Sequence, residues 1–182
     1  MNRAKIIINL YNKYGSANYI GENMSQIDHA LQCAYYAKKF NYDKDIITAA
    51  LLHDIGHIVN LDNKANYTDM NNLGDLYHEH KGAEYLTKLG YNKRICNIVK
   101  NHVDAKRYLY TTNFNYIKKL SNASLQTLDY QGGKMSIEEI NNFRKNRYYT
   151  ESIIIRYIDD VGKKIKKSDY GKIEDYYEFL LL

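Results

Sequence analysis

Apolar and small residues recur at three- and four-residue steps between Ser25 and Phe40, at Ile27, Ala30, Leu31, Ala34, Tyr35 and Ala37, and this spacing predicts an amphipathic helix. Ser25 and Asp28 have the spacing of a capping box at its start. From about Lys44 to Val59 the run AALLHDIGHIV is apolar on nearly every face, which predicts one buried central helix. Gly56 near its end leaves room for a close backbone approach. Asn60 to Asp75 is rich in Asn, Asp and Thr, has no periodicity, and reads as a loop of the length that often serves as a lid. A helix from Tyr77 to Leu89 stops at Gly90, a left-handed cap, and another starts near Asn92 and runs to about Val103. Segments at Ser121 to Tyr130, Ser136 to Lys145 and Tyr149 to Ile165 complete the helices, with Ser136 and Glu139 forming a second capping box. QGGKM at Gln131 to Met135 is a glycine turn between two of them. Nothing reads as a strand-rich module, a repeat or a linker. The expectation is an all-α bundle forming a single domain over residues 1–182, with a core from about 19 to 165 and a C-terminal extension from 166 to 182.

Composition supports this reading. Proline is absent, and at 182 residues a 45% hydrophobic content suffices for a buried core. The 26 Lys and Arg are spread among 21 Asp and Glu, so the net charge of +5 forms no basic block. That balance suits a small anionic substrate and argues against a nucleic-acid partner. Cys33 and Cys96 lie inside apolar stretches and read as packed thiols in a reducing cytoplasm. The opening MNRAKIIINLYNKYG has no small-residue cleavage site, and no stretch approaches the ~18 apolar residues that span a bilayer. A cytoplasmic protein with no membrane partner is expected.

All six histidines lie between residues 29 and 102. His53 and Asp54 are adjacent inside the most apolar run, where an unpaired carboxylate would cost several kcal/mol. A metal ion is a partner strong enough to keep it there. His29, His78 and His102 each sit on another helix, and Asp159 lies near the end of IIIRYIDD. Four imidazoles and two carboxylates are too many for one ion with an open site, and they fit two metals bridged by Asp54. His80 competes with His78 and Asp160 with Asp159; His57, one turn after His53, either supports the centre or covers it. An isolated helical His is more often packed than ligating, so the weight rests on the His53-Asp54 pair.

His29, His53-Asp54 and a distant Asp159 together resemble the HD-domain superfamily, whose all-α bundles hold one or two metals and most of whose members are phosphohydrolases. HEHKGAEYL matches the family's H-x-x-x-G-A run from His78, which favours His78 over His80. YIGENMSQIDHALQCA, AALLHDIGH, HVDAKRYL and LSNASLQTLDYQGGKM are similar, in order, to the signatures of the PhnZ-type mixed-valent diiron oxygenases of phosphonate catabolism, relatives of myo-inositol oxygenase. The resemblance implies a single HD domain enclosing a dinuclear site. One iron would be held by His29, His53, Asp54 and Asp159, the other by His78, His102 and the bridging Asp54. Tyr19 and Glu22 match a pair that guards the open iron, with Glu22 meeting the substrate's amine. His57, Lys106, Ser124 and Arg156 match positions around the phosphonate, and Thr127 and Gln131 neighbour them. Tyr19, Glu22, His57 and Lys106 would thus act in catalysis. The implied activity is C–P cleavage of 2-amino-1-hydroxyethylphosphonate, or an N-methylated analogue, by dioxygen at an Fe(II)/Fe(III) pair, giving glycine (or its N-methylated form) and phosphate. A hydroxylase would act upstream in the same pathway. The alternative is a metal-dependent HD phosphohydrolase acting on a nucleotide or phosphate ester, which uses the same ligand types.

Overall fold

Side-chain caps set where most of the helices begin. Asn2, Ser25, Asp43, Asn92, Ser121 and Ser136 each lie in extended backbone and accept the N–H three residues ahead with a side-chain oxygen, and a helix follows each one. The structure is a computed structural model that describes residues 2–19, 23–62, 68–71, 73–163 and 170–181. In chain order its α-helices are α1 (Arg3–Tyr14), α2 (Gln26–Lys39), α3 (Lys44–Leu52), α4 (Ile55–Asp62), α5 (His78–Lys88) and α6 (Lys93–Thr112). They continue with α7 (Phe114–Ile117), α8 (Asn122–Tyr130), α9 (Ile137–Arg144), α10 (Tyr149–Val161), a 3-10 turn at Ile173–Tyr176 and α11 (Tyr177–Leu180). The fold is all-α, and the described residues contain only two isolated β-bridges. No helix among them is long and apolar enough to cross a membrane.

The central helix expected over Lys44 to Val59 is broken, with His53 and Asp54 forming a turn between α3 and α4. In a continuous helix these neighbours would point about 100° apart. The break swings both toward one point, and His53 Nε2 lies 3.2 Å from Asp54 Oδ2. Gly56 makes the new direction of α4 feasible, because a Cβ there would lie 1.9 Å from the carbonyl oxygen of His78 on α5. At the end of α5 the N–H of Tyr91 bonds to Leu86 and that of Gly90 to Thr87, with Gly90 at φ +80°, a Schellman stop at the expected residue. The helix expected to end near Val103 runs on to Thr112, so His102 and Lys106 share one rod. α10 ends at Val161, and the Ile165 end expected for it lies outside the described residues.

Helix α1 was not anticipated from the opening apolar run. Ala4, Ile7 and Tyr11 bury one of its faces, and the Tyr11 hydroxyl donates to the Leu51 carbonyl at 2.9 Å. Tyr170, Ile173, Tyr176 and Leu180 are buried in the same apolar cluster as α1 to α6. A second cluster, built on Ala105, Tyr108, Leu109, Tyr116, Leu120, Met135 and Phe143, joins the far half of α6 to the segments that follow it. Helix α6 packs against α5, α10 and α3, and α2 packs against α3 and α10, so four elements face the α3–α4 turn.

Candidate metal centre and substrate pocket

Six side chains converge on that turn, and all are buried: His29 from α2, His53 and Asp54 from the turn, His78 from α5, His102 from α6 and Asp159 from α10. Asp54 Oδ2 lies 3.2 Å from His53 Nε2 and 3.7 Å from His29 Nε2. Its other oxygen, Oδ1, lies 3.3 Å from His78 Nε2 and 3.4 Å from His102 Nε2. Asp159 Oδ1 is 3.2 Å from His29 Nε2, on the Oδ2 side. The carboxylate of Asp54 thus faces two separate donor groups, one oxygen each.

Each of these imidazoles directs its other nitrogen at a backbone carbonyl: His29 at Gly162 (3.2 Å), His53 at Ala50 (2.9 Å), His78 at Asp75 (2.9 Å) and His102 at Val99 (2.7 Å). Those carbonyls fix the proton on Nδ1 and leave Nε2 as a lone pair when the ring is neutral. His29 and His53 then meet Nε2 to Nε2 at 3.3 Å, and His78 and His102 at 3.1 Å. Two lone pairs at that distance need a cation or an extra proton between them. Asp159 Oδ1 is buried without a hydrogen-bond partner. The donor set therefore fits two metal ions, with nitrogen and carboxylate ligands suited to iron or zinc.

Without metal, protons fill part of this role. Burial would lower the His53 pKa, but Asp54 outweighs it and the ring is pushed up to about 9. Burial would raise Asp54, yet His53, His102 and His78 together hold its carboxyl well below the usual range. Asp159 behaves likewise against its own burial, chiefly through Arg156, whose guanidinium lies 2.6 Å from Oδ2. His102 is lowered by burial. A metal must displace the protons that remain, so its binding is pH-dependent.

The expected substrate residues fall on one side of the centre. A pocket bounded by Asp54, His78, His102 and Asp159 is lined by Tyr19, His57, Lys106, Ser124, Thr127, Gln131 and Arg156. It encloses about 50 Å³, within about 470 Å³ of free space that includes its open mouth. Tyr19 stacks on His29, with ring centroids 4.0 Å apart. Lys106 is 3% exposed, and its ammonium donates to Thr127 Oγ1 at 2.9 Å. Burial first, then Arg156, pulls its pKa down to about 7. Gln131 Oε1 is buried without a hydrogen-bond partner. Arg156 contacts both Asp159 and Asp160. Glu22 lies outside the described residues. Of the competing pairs, His80 is exposed on the surface, whereas His78 and Asp159 face the cluster. His57 stacks on His78 at 3.9 Å and lines the pocket, so it lies against the centre.

Sequence reasoning missed several lining residues. Lys163 lies 3.5 Å from Ser124 Oγ and 5.5 Å from the Tyr19 ring centroid. Its four-residue spacing from Asp159 was a hint, but α10 ends at Val161, so that spacing fixes no direction. Met70 and Leu73 from the loop, Val103 from α6 and Ala123 from α8 supply the apolar wall, and no pattern in the loop marked its two residues.

The chain matches the HD domain family over residues 27–161. It is 36% identical over 178 residues to (1-hydroxy-2-(trimethylamino)ethyl)phosphonate dioxygenase (glycine-betaine-forming) of Leisingera caerulea, covering 98% of this chain and 87% of that protein. It is 34% identical over 177 residues to hydroxymethylphosphonate dioxygenase of Gimesia maris, covering 96% and 85% respectively. The uncharacterized protein L432 of Acanthamoeba polyphaga mimivirus is 43% identical over 176 residues, 97% of this chain and 78% of the viral protein.

Proposed function

This chain belongs to the HD-domain family, within its PhnZ-type branch of phosphonate dioxygenases, and we propose that it cleaves the C–P bond of 2-amino-1-hydroxyethylphosphonate, or an N-methylated analogue, with dioxygen, releasing phosphate and glycine or its N-methylated form. The observation that carries the reading is the split of Asp54 between two histidine groups at the floor of a small pocket walled by lysines and hydroxyls. Bound there as Fe(II)/Fe(III), two irons would supply a Lewis acid for the substrate's oxygens and an electron for dioxygen.

The protein's own groups do the rest. His29, His53 and Asp159 would hold one ion, His78 and His102 the other, with Asp54 shared between them. A phosphonate carries up to two negative charges, which the Lys106 and Lys163 ammoniums and the Ser124 hydroxyl can meet with charge-assisted hydrogen bonds. Thr127 aims the Lys106 ammonium, and Gln131 and Arg156 complete the polar wall. His57 accepts the Asp75 N–H on Nδ1, so its Nε2–H is a donor for the pocket. Tyr19 lies across the face of His29 and guards that side of the centre; Glu22, beyond it in the chain, takes the amine. Met70, Leu73 and Val103 keep water from the reacting carbon. The enclosed volume suits a small anion. The hydroxyl on the substrate implies a hydroxylase acting before this enzyme.

Product analysis tests the substrate. Iron-loaded protein in air should convert 2-amino-1-hydroxyethylphosphonate, or its N-methylated analogue, to equal amounts of phosphate and the glycine product, and should leave a panel of nucleotides and phosphate esters intact. Turnover of that panel with no C–P cleavage would establish the phosphohydrolase in its place.

A further inference from the structure

Asp75 closes the loop between α4 and α5 and is wholly buried. Its backbone N–H donates to His57 Nδ1 at 3.2 Å, and its carbonyl accepts from His78 Nδ1 at 2.9 Å. The main chain of one residue therefore serves two imidazoles whose rings stack at 3.9 Å. The two bonds run in opposite senses and select opposite tautomers. His57, which lines the pocket, keeps its proton on Nε2, while His78 keeps its proton on Nδ1 and turns a bare Nε2 toward Asp54 and His102.

The side chain of Asp75 takes no part in either bond, but it fixes where they form. Lys81 Nζ lies 2.8 and 2.6 Å from its two oxygens, and the Tyr77 N–H donates to it at 3.1 Å. Lys81 stands one turn after His78 on α5, so the clamp ties the loop's end to the helix that carries the ligand. A β-bridge from Asp69 to Asp75 ties the two ends of the stretch that carries Met70 and Leu73 to the pocket wall.

We infer that Asp75, clamped by Lys81, is the positioning residue that sets His57 and His78 in complementary tautomers, one for the pocket and one for the metal. The inference rests on the dinuclear centre proposed above. Cobalt(II) titration of the metal-free protein under argon tests it without turnover. Wild-type protein should take two ions. Lys81→Met and Asp75→Asn should bind one as before and the other about 10–100-fold more weakly, the usual cost of losing a group that orients a ligand, because only the His78 site is touched. Lys81→Arg, which keeps the ion pair, should restore the second ion. Asp75→Asn keeps the main-chain N–H and C=O and an acceptor for Tyr77 but loses the ion pair that holds them against His57 and His78, so it is the variant to rely on if Lys81→Met fails to fold. Equal weakening of both ions, or unchanged binding of both in Asp75→Asn, would overturn the proposal. A wild-type protein that binds fewer than two ions would overturn the dinuclear reading and this proposal with it.

Discussion

A lysine buried as deeply as Lys106 beside an arginine is a burden to the fold at neutral pH, and its place in the pocket gives a reason for bearing it. The groups acting on it are Arg156, Asp159, Asp160 and Lys163, and burial outweighs the two acids to pull its pKa down to about 7. An unfolded lysine titrates near ~10.4. The unfolded chain therefore holds more protons between these values, so the lysine's cost is full below pH 7 and is relieved as pH rises toward ~10. Lys106→Met should raise Tm at pH 6, by roughly 2–4 °C for each kcal/mol gained in a chain of this length, and the gain should shrink by pH 9. Phosphonate affinity should fall at least about tenfold, the scale of one charge-assisted hydrogen bond. Thermal scans at both pH values and a binding titration check this; a variant destabilised equally at both would contradict it. At this scale the sequence was most informative where residue type and setting conflicted, as with the carboxylate of Asp54 in an apolar run. Asp75 escaped notice because its work is done by backbone atoms, which every residue possesses. Lys163 escaped because one lysine among many at a helix end carries no mark of its direction.

Between elements, the contact that places His78 is the crossing of α4 and α5. A Cβ on Gly56 would lie 1.9 Å from the His78 carbonyl oxygen and 2.9 Å from the Gly82 nitrogen, both backbone atoms with no rotamer to yield. Gly56→Ala should therefore lower stability by about 1–3 kcal/mol or more and weaken metal binding through the displacement of α5. Gly133→Ala meets nothing within 4 Å and has only its left-handed backbone, φ +62°, to oppose it, so it should cost about 1 kcal/mol and leave metal content unchanged. Denaturant unfolding and metal analysis of the two variants make the comparison; a Gly56→Ala protein as stable and as metal-rich as wild type would contradict it. The caps and glycine stops were legible because they are local: Ser25, Ser136 and Gly90 act on groups a few residues away. The α3–α4 break was not, since its cause lies on α5, more than twenty residues on. The apolar pattern of AALLHDIGHIV is the same whether the helix bends or not.

For the molecule as a whole, α2, the α3–α4 turn, α5, α6 and α10 bring histidines and carboxylates from distant parts of the sequence into one buried cluster beside a pocket. Helical periodicity was enough to indicate the all-α class. The tie between the two ends of the chain was not legible, because it depends on pairs such as Arg3 with the Gly90 and Leu181 carbonyls and Tyr91 with the Leu180 carbonyl, which no local pattern announces. Nor do the ligands distinguish oxidation from hydrolysis, since both chemistries use histidine and carboxylate around two metals. Oxygen uptake separates them most directly, measured on iron-loaded and zinc-loaded protein with 2-amino-1-hydroxyethylphosphonate or its N-methylated analogue. The account predicts one dioxygen consumed per phosphate released with iron, and no phosphate with zinc or under argon. Phosphate released at an undiminished rate by the zinc protein, or without oxygen, would contradict it.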